Sequence, residues 1–362
     1  MHLDKLFLKN HRNIKNVAIE PSSEFNVLWG DNAQGKTNFL ESIYLLGNLR
    51  SFRCIRNEEL IGHNTTSSYI AGEVICQGVR RRLELSINEA GKIVRVDGKD
   101  VKSAGLFMGL LRPVLFSPEE VSLIKGNPAG RRALLDRAVF QVNPSFLVKA
   151  QEYERCLRQR NKLLKEARSK QEIAPWTEQL AITGARIRFE RLRFLERLTP
   201  LLRKTYGKIT GGREIADLQY APADGDDEES LRIALSCDLE RQRDRERVLG
   251  QTLSGPHRDD PLFLVNGRPL RMFGSQGQQR SYMLAFKTAQ IMDLEQEKGE
   301  PPVLLLDDMT GELDRQRQGF FFRYLLERRG QVFITTTDIQ SLQQEGIRNA
   351  RFYRVSQGNI EE

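Results

Sequence analysis

The feature that most constrains the fold is a loop motif of the pattern GxxxxGK[ST], Gly30-Asp31-Asn32-Ala33-Gln34-Gly35-Lys36-Thr37. Several backbone N–H groups must converge on a diphosphate to bind it, and only a loop with glycines can wrap that closely. Lys36 would supply a charge to the β- and γ-phosphates, and Thr37 an oxygen ligand to Mg²⁺. The apolar run Phe25 to Trp29 predicts a strand before the loop, and the pattern from about Gly35 to Leu49 predicts a helix after it. This context favours a nucleotide-binding loop over a structural glycine turn.

An apolar segment that ends in two carboxylates, Leu304-Leu305-Leu306-Asp307-Asp308, predicts the second half of such a site. We expect Asp307 to hold the hydration shell of Mg²⁺, and Asp308 to orient or deprotonate the attacking water. A strand that ends in a solvated acidic turn is the alternative, and the loop motif disfavours it. Because Lys36 and Asp307 lie too far apart in the chain for a compact nucleotide-binding domain, we predict an inserted domain between them.

A third motif, FGSQGQQR from Phe273 to Arg280, lies shortly before the carboxylate pair and opens an apolar helical pattern. A Ser-x-Gly-Gln loop at a helix N-terminus can donate backbone N–H groups and a hydroxyl to a phosphate, although a plain glycine turn is an equal alternative. The order of the three motifs resembles that of ABC-type ATPase heads. In that class this loop, here Ser275-Gln276-Gly277-Gln278, caps the γ-phosphate that the opposite subunit binds, so that ATP joins two heads.

Hydropathy patterns divide the chain into three stretches, 1–117, 118–242 and 243–362. The first predicts strands around one helix, and the last predicts a strand–helix–strand order that is typical of a parallel sheet. The other predicted elements are strands at 3–8, 70–76, 81–87, 93–96, 302–306 and 331–335, a hairpin turn at 88–91 and a helix at about 315–328. The expected fold class is α/β: an ABC-type P-loop ATPase head with an inserted helical arm domain.

The middle stretch predicts an antiparallel pair of helices with a break at Ala174-Pro175-Trp176. The acidic run from Asp224 to Glu229 predicts a disordered loop. Between Lys149 and Arg213 there are 17 Lys and Arg but only 7 Glu, whereas the whole chain has a net charge of +8. This surplus predicts a polyanionic partner, such as the phosphates of a nucleic acid, and an ordinary surface hairpin with a solvated charged face is the alternative. The candidate contacts are Arg186, Arg188, Arg191 and Arg193.

Composition excludes several classes of protein. No apolar run approaches the ~18 residues of a membrane-spanning helix, so we expect no membrane partner. The four cysteines and four histidines are scattered without paired spacing, which indicates a reducing compartment and no zinc site. We therefore expect a cytoplasmic protein.

The motifs GDNAQGKTNFLESIYLLG, SFR, GPHRDD, FGSQGQQRS and VLLLDDMTGELD together resemble the RecF family of bacterial recombination-repair ATPases, which is related to the Rad50 and SMC heads. The resemblance implies a weak, DNA-stimulated ATPase that uses ATP and Mg²⁺. It implies an ATP-dependent homodimer on duplex DNA and gap junctions, associated with the nucleoid. It also implies that the chain assists RecA loading at single-strand gaps with RecO and RecR, and that it supports SOS induction.

The resemblance also implies roles for single residues. Arg12 and Asn13 would face the nucleotide. Asp314, in the sequence Gly311-Glu312-Leu313-Asp314, would communicate across the dimer. For GPHRDD, Gly255 to Asp260, a structural turn with ion pairs and a functional role are equally open.

Three departures from the ABC pattern concern hydrolysis. Thr335-Thr336-Thr337-Asp338 stands where ABC transporters have a switch histidine, and Asp308 replaces their usual catalytic glutamate. No clear glutamine for a Mg²⁺-sensing loop lies near 115–120. These departures imply slow hydrolysis.

Two other functions compete with DNA repair. A subunit that energises a membrane transporter is disfavoured by the helical arm and by the missing histidine. A nuclease-linked ATPase is disfavoured because we find no acidic metal-binding domain after residue 315.

Overall fold

The computed structural model describes residues 1–53, 56–101, 104–221, 225–309 and 314–362. They form two compact units: a head, Met1–Glu120 with Ile291–Glu362, and a helical lobe, Val121–Gln290. The first division lies close to the predicted boundary at 117. The second lies well beyond the predicted boundary at 242, because the strand Asp260–Val265 pairs with the lobe strand Ala216–Ala221.

The strands are β1 (His2–His11), β2 (Ile14–Ile19), β3 (Phe25–Trp29), β4 (Ser67–Cys76), β5 (Val79–Asn88), β6 (Gly91–Val96), β7 (Lys99–Asp100), β8 (Pro113–Phe116), β9 (Ala216–Ala221), β10 (Asp260–Val265), β11 (Arg268–Pro269), β12 (Val303–Leu306), β13 (Val332–Thr336), β14 (Ala350–Ser356) and β15 (Asn359–Glu361). The α-helices are α1 (Lys36–Asn48), α2 (Ala104–Phe107), α3 (Pro118–Lys125), α4 (Pro128–Val142), α5 (Phe146–Lys165), α6 (Lys170–Thr210), α7 (Glu228–Leu249), α8 (Leu270–Phe273), α9 (Gln276–Lys298), α10 (Arg315–Glu327) and α11 (Ile339–Gln344). Within the described ranges, no helix combines the length and the apolar character that a membrane crossing requires.

The head is built on a six-stranded sheet in the order β15-β14-β3-β13-β12-β8. All neighbouring strands are parallel except β14 and β15, which form a hairpin. Strands β12 and β13 are buried along their whole length, as strands covered on both faces are. Because the strands are parallel, the C-terminal ends of β3, β12, β13 and β14 meet at one edge, where open α/β sheets bind ligands. The predicted strands at 25–29, 302–306 and 331–335 are confirmed within a residue or two.

A second sheet of the head, in the order β2-β1-β4-β5-β6-β7, is antiparallel throughout. The strands predicted at 3–8, 70–76, 81–87 and 93–96 all lie in this sheet and are confirmed, as is the turn at 88–91, with Asn88 paired to Gly91. Gln77 and Gly78 join β4 to β5 with φ values of 50° and 73°. Positive φ at both central residues is the type I′ turn, which suits the twist of a two-residue hairpin.

In the lobe, α5 and α7 both pack on α6. The Ser169 hydroxyl accepts a hydrogen bond from the Glu172 N–H, and the Glu172 carboxylate accepts one from the Ser169 N–H. This capping box begins α6 at Lys170. The predicted break at Ala174-Pro175-Trp176 is therefore wrong, because Pro175 lies inside the helix that the box starts. With 41 residues, α6 is about 60 Å long and much longer than predicted.

A second capping box corrects the prediction for the acidic run. The Asp227 carboxylate accepts from the Ser230 N–H, and α7 begins at Glu228. The carboxylates of Glu228 and Glu229 lie in the first turn of α7, where they interact favourably with the helix dipole. The run is therefore helical from Glu228 and is not a disordered loop there, while residues 222–224 lie outside the described residues.

The GPHRDD segment supplies buried ion pairs to the lobe. Two guanidinium nitrogens of Arg188, Nε and Nη2, donate to the Asp259 carboxylate at 2.9 Å, and both side chains are 3% exposed. Arg191 donates to both oxygens of Asp136, at 2.7 and 2.9 Å, and to the Pro256 carbonyl. These contacts join α4 and α6 to the segment before β10.

The neighbouring residues of the segment make similar contacts. The Asp260 carboxylate accepts two hydrogen bonds of 2.7 Å from Arg131, and the Arg258 N–H donates to the Gly255 carbonyl at 2.8 Å. The His257 ring lies 2.5 Å from the Tyr153 hydroxyl. Of the two interpretations that the sequence left open, the structural turn with ion pairs is the one these contacts support.

We expect Asp259→Asn to lower the unfolding free energy of the lobe by about 3–5 kcal/mol, because it leaves the Arg188 charge buried without its partner. Asp244→Asn is the matched control, since the Asp244 side chain is 86% exposed and its loss should cost about 0.5 kcal/mol or less. Urea unfolding followed by Trp176 fluorescence in a Trp29→Phe background reports on the lobe, because the chain has two tryptophans. Equal midpoints for the two Asp variants would contradict a structural role for the pair.

Candidate nucleotide-binding site

The loop between β3 and α1 has the backbone that its motif requires. Gly30 and Gly35 have φ values of 148° and 117°, and a Cβ on Gly30 would lie 2.3 Å from the Val355 carbonyl oxygen. Both positions therefore need glycine. Gly35 is the N-cap residue of α1 and has no side chain to cap it. The N–H groups of the first turn and the positive end of the helix dipole are thus available to an anion.

Lys36 extends over this loop. Its Nζ donates to the carbonyl oxygens of Gly30 at 2.6 Å and Asp31 at 2.7 Å. Burial lowers the pKa of Lys36, and the carboxylates of Asp308 and Asp307 oppose that shift. The ammonium group therefore lies close enough to both carboxylates to feel their charge, although they come from the other end of the chain.

The two predicted metal ligands also meet. The Thr37 hydroxyl donates to the Asp307 carboxylate at 2.9 Å. Asp307 is buried and Asp308 is exposed. Burial raises the pKa of Asp307, and hydrogen bonds from Thr335 and Thr37 oppose this shift. A hydroxyl and a carboxylate are oxygen ligands of the kind that Mg²⁺ prefers, so these residues fit the ion.

Thr335, at the end of β13, contacts both residues of the carboxylate pair. Its hydroxyl lies 2.9 Å from the Asp307 carboxylate and accepts a hydrogen bond of 3.0 Å from the Asp308 N–H. Since β13 lies between β3 and β12, its last residues necessarily lie between the loop and the carboxylates. Sequence reasoning placed this segment only by analogy with a switch histidine, and Asp338 of that segment caps α11. The sequence signal for Thr335 as a residue of the site was a run of threonines at the end of a buried apolar strand.

Arg12 forms an ion pair with the buried Glu41. Its guanidinium donates to both carboxylate oxygens of Glu41 on α1, at 2.7 and 2.8 Å, and the Ser51 hydroxyl donates to the same carboxylate. Burial tends to raise the pKa of Glu41, but these hydrogen bonds outweigh it and the net shift is downward. Burial lowers the pKa of neighbouring His11 to about 4. Sequence reasoning missed Glu41, whose signal is a carboxylate on the apolar helix after the loop.

Asn13 contacts the loop directly. Its amide donates to the Gln34 carbonyl at 3.0 Å and accepts from Asn38 at 2.8 Å, and Arg53 of the SFR motif donates to Asn38 at 2.8 Å. Arg12, Asn13 and Asn38 also line a cavity of about 530 Å³ in the head. Asn13 thus contacts the loop on one side and borders this cavity on the other.

In the lobe, the Ser275 motif forms the start of α9. The Gln278 N–H donates to the Ser275 hydroxyl at 3.1 Å, and the Ser275 N–H donates to the Gln278 side chain at 2.9 Å. Gln278 also donates to Glu214 at 2.7 Å. Ser275 and Gln276 are exposed, while Gly277 is partly exposed. The motif is therefore a capped helix start at the surface and not an isolated glycine turn.

Asp314 caps α10 by accepting a hydrogen bond of 2.9 Å from the Arg317 N–H. The rest of the predicted dimer loop, Gly311-Glu312-Leu313, lies outside the described residues.

The four arginines predicted to bind DNA divide by helical phase. Arg188 and Arg191 point into the lobe and are paired with Asp259 and Asp136. The expectation that these two contact DNA is therefore wrong. Arg193 is exposed, and the Arg186 side chain is 43% exposed with Glu152 3.8 Å away. Residues seven apart share one face of an α-helix, and the two buried arginines lie on the other.

The comparison with known proteins decides the family. Residues 2–361 match the model of the RecF/RecN/SMC N-terminal domain family. The chain is 52% identical to the DNA replication and repair protein RecF of Syntrophotalea carbinolica, covering 99% of each chain. It is 42% identical to RecF of Geotalea uraniireducens, covering 99% of this chain and 100% of that one. The chain belongs to the RecF family.

Solved structures agree with this assignment. The recombination mediator protein RecF with ATP, from the RecFOR pathway, superposes with a TM-score of 0.89 at 31% identity, covering 99% of this chain and 98% of that one. An SMC head bound to the winged-helix domain of ScpA superposes with a TM-score of 0.58 at 14% identity, covering 100% of this chain and 96% of that one. The second match concerns the fold alone. The predicted fold class, an ABC-type head with an inserted helical domain, and the predicted family are thus confirmed.

Proposed function

We propose that this RecF-family chain binds and hydrolyses ATP and acts on DNA as an ATP-bound dimer. The single observation that carries the proposal is the Thr37–Asp307 hydrogen bond, because it joins two halves of a nucleotide site that lie far apart in the chain. The RecF structure with ATP supports the choice of nucleotide.

In this proposal the loop from Gly30 to Thr37 and the N-terminus of α1 bind the β- and γ-phosphates, with Lys36 as the balancing charge. Arg12 and Asn13 face the nucleoside in the adjoining cavity. Thr37 and Asp307 would hold Mg²⁺, which when bound neutralises charge on the phosphates.

Asp308 is the proposed catalytic carboxylate. It is exposed, and its backbone is fixed by the hydrogen bond to Thr335, so its side chain can orient a water molecule and accept its proton. Threonine stands where the ABC transporters have a histidine, so one group that would sense the γ-phosphate is missing. We therefore expect weak hydrolysis, stimulated by DNA.

The dimer is proposed to form through shared ATP. The exposed start of α9, from Ser275 to Gln278, presents backbone N–H groups and a hydroxyl, which suits a phosphate bound by the second copy. Asp314, at the start of α10, would communicate between the two copies.

DNA binding is proposed on one face of α6, which we call the basic face. Its members lie within about 60° of one another around the helix and span about 33 Å. They are Arg186, Arg193, Lys204 and Lys208. Three are exposed and Arg186 is partly exposed. A row of cations of this length suits the phosphates of duplex DNA, without reading of the bases.

The RecF relatives are named as DNA replication and repair proteins, and the ATP-bound RecF acts in the RecFOR pathway. We propose the same setting for this chain: assistance of RecA loading at single-strand gaps with RecO and RecR, and support of SOS induction. The expected location is the cytoplasm, in association with the nucleoid.

Lys36→Met should abolish ATP-induced association, because it removes the loop's only lysine while breaking hydrogen bonds only to two loop carbonyls. Lys9→Met, on the exposed side of β1, is the control. Sedimentation velocity with and without ATP measures the dimer, and circular dichroism checks the fold. ATP-dependent dimerisation of Lys36→Met would refute the loop assignment.

Arg193→Glu with Lys204→Glu should reduce the salt dependence of DNA binding. Each neutralised phosphate contributes about −0.9 to the log–log slope on duplex DNA, so losing two contacts should flatten it by about 2. Lys9→Glu with Lys99→Glu makes the same charge change on exposed residues of the head. If the head pair flattens the slope and the α6 pair does not, DNA binds to the head.

Asp308→Asn and Ser275→Arg should have opposite effects. The first keeps the size of the side chain but removes the base, so hydrolysis should fall about a hundredfold or more while the ATP-bound dimer persists on DNA. The second fills the proposed contact with the partner's ATP, so monomers should still bind ATP but not associate. A dimer of Ser275→Arg, or release of Asp308→Asn from DNA with ATP present, would exclude the shared-ATP mechanism.

A further inference from the structure

The C-terminal hairpin contacts the phosphate-binding loop. Gln357 and Gly358 form its two-residue turn, with φ values of 48° and 81°. The Gln357 N–H donates to the side-chain oxygen of Gln34 at 2.7 Å, and the Gly358 N–H donates to the Gln34 carbonyl at 2.9 Å. In a hairpin of this type these two amides are not used by the ladder itself, and here both bind one loop residue.

Two further contacts are close enough to restrict this arrangement. A Cβ on Gly358 would lie 2.1 Å from the Asn13 carbonyl oxygen, and one on Gly30 would lie 2.3 Å from the Val355 carbonyl oxygen on β14. The Arg354 guanidinium lies over the Trp29 ring, 5.6 Å from its centroid, at the strand end just before the loop. The loop is thus packed against β14 at its first residue, Gly30, and it contacts the turn at Gln34.

Position in the sheet explains why these partners meet. Strand β14 is parallel to β3 with Arg354 opposite Trp29, so the two strands end at the same edge of the sheet. The chain after β3 becomes the loop, and the chain after β14 becomes the turn. Gln34 is also held from the other side, because its carbonyl accepts the Asn13 amide at 3.0 Å.

We propose that the C-terminal turn, Gln357-Gly358, holds the phosphate-binding loop in the shape that binds ATP, with Gln34 and Gly358 as positioning residues. Neither residue needs to touch the phosphates for this role. The turn fixes the carbonyl of Gln34, and the peptide plane that follows sets the direction of the Gly35 N–H. The inference rests on the proposed ATP binding.

The chain contains a matched control for testing this. Gln77-Gly78 is the same dipeptide in the same kind of turn, with φ values of 50° and 73°, and a Cβ on Gly78 would meet nothing within 4 Å among the described atoms. Alanine at either glycine has the same backbone strain. Only at Gly358 would alanine also push the turn away from Asn13 and Gln34.

Equilibrium binding of a fluorescent ATP analogue to the full chain is the test. We expect Gly358→Ala to raise the dissociation constant about tenfold, the size of two lost hydrogen bonds, while Gly78→Ala leaves it within about twofold of the wild type. Both should lower the melting temperature through the shared backbone strain, and Gly358→Ala should lower it further because of its close contact with Asn13. Gln34→Leu removes only the hydrogen bond between its side chain and the Gln357 N–H, so it should weaken binding about threefold. The double variant should be little weaker than Gly358→Ala alone, because the displaced turn has already lost that bond.

The outcomes separate this inference from the proposed function. If the wild type binds ATP but Gly358→Ala and Gln34→Leu bind equally well, the inference is overturned and the proposed function stands. An equal loss of binding in Gly78→Ala would also overturn it, since strain in any hairpin would then suffice. If Gly358→Ala fails to fold, Gln34→Leu decides alone. A wild type that binds no ATP would overturn both.

Discussion

Parallel pairing of β3 with β13 and β14 is the constraint on which the site depends. In parallel strands all C-terminal ends lie at one edge, so the phosphate-binding loop, the Thr335 hydroxyl and the C-terminal turn must meet there. Strand β12 continues the same sheet and adds Asp307 and Asp308 to that edge. Four segments that are distant in the sequence thus become neighbours without any contact that is specific to a nucleotide.

The motifs were sufficient to predict this edge, and their roles as strand ends explain why. A GxxxxGK[ST] loop needs a strand before it and a helix after it, and a wholly apolar strand such as the one before Asp307 is typical of a parallel sheet. The residues that contact the motifs from other parts of the chain could not be predicted in the same way. Glu41 and Gln34 contact residues whose positions depend on register and packing, which no local pattern contains.

In the lobe, two local sequence signals predict different starts for α6, and the structure follows the capping box. Pro175 suggests a helix break, but a proline within the second turn of a helix removes one hydrogen bond, while the Ser169–Glu172 capping box satisfies two amide groups at the start. The sequence contained both signals. Weighing the box first would have placed the start of α6 at the correct residue.

Net charge alone overestimated the basic surface, because it cannot separate inward from outward arginines. Arg160, Arg188 and Arg191 are each 2–3% exposed and lie within 2.9 Å of a carboxylate from another segment. Their charges are balanced inside the lobe, where removing one partner of a pair destabilises the fold strongly. Helical phase makes the distinction that charge counting misses: Arg186 and Arg193 lie seven residues apart and reach solvent, while the arginines between them pack the core. The positive field of the proposed DNA-binding face of α6 is therefore smaller and more localised than the sequence surplus suggests.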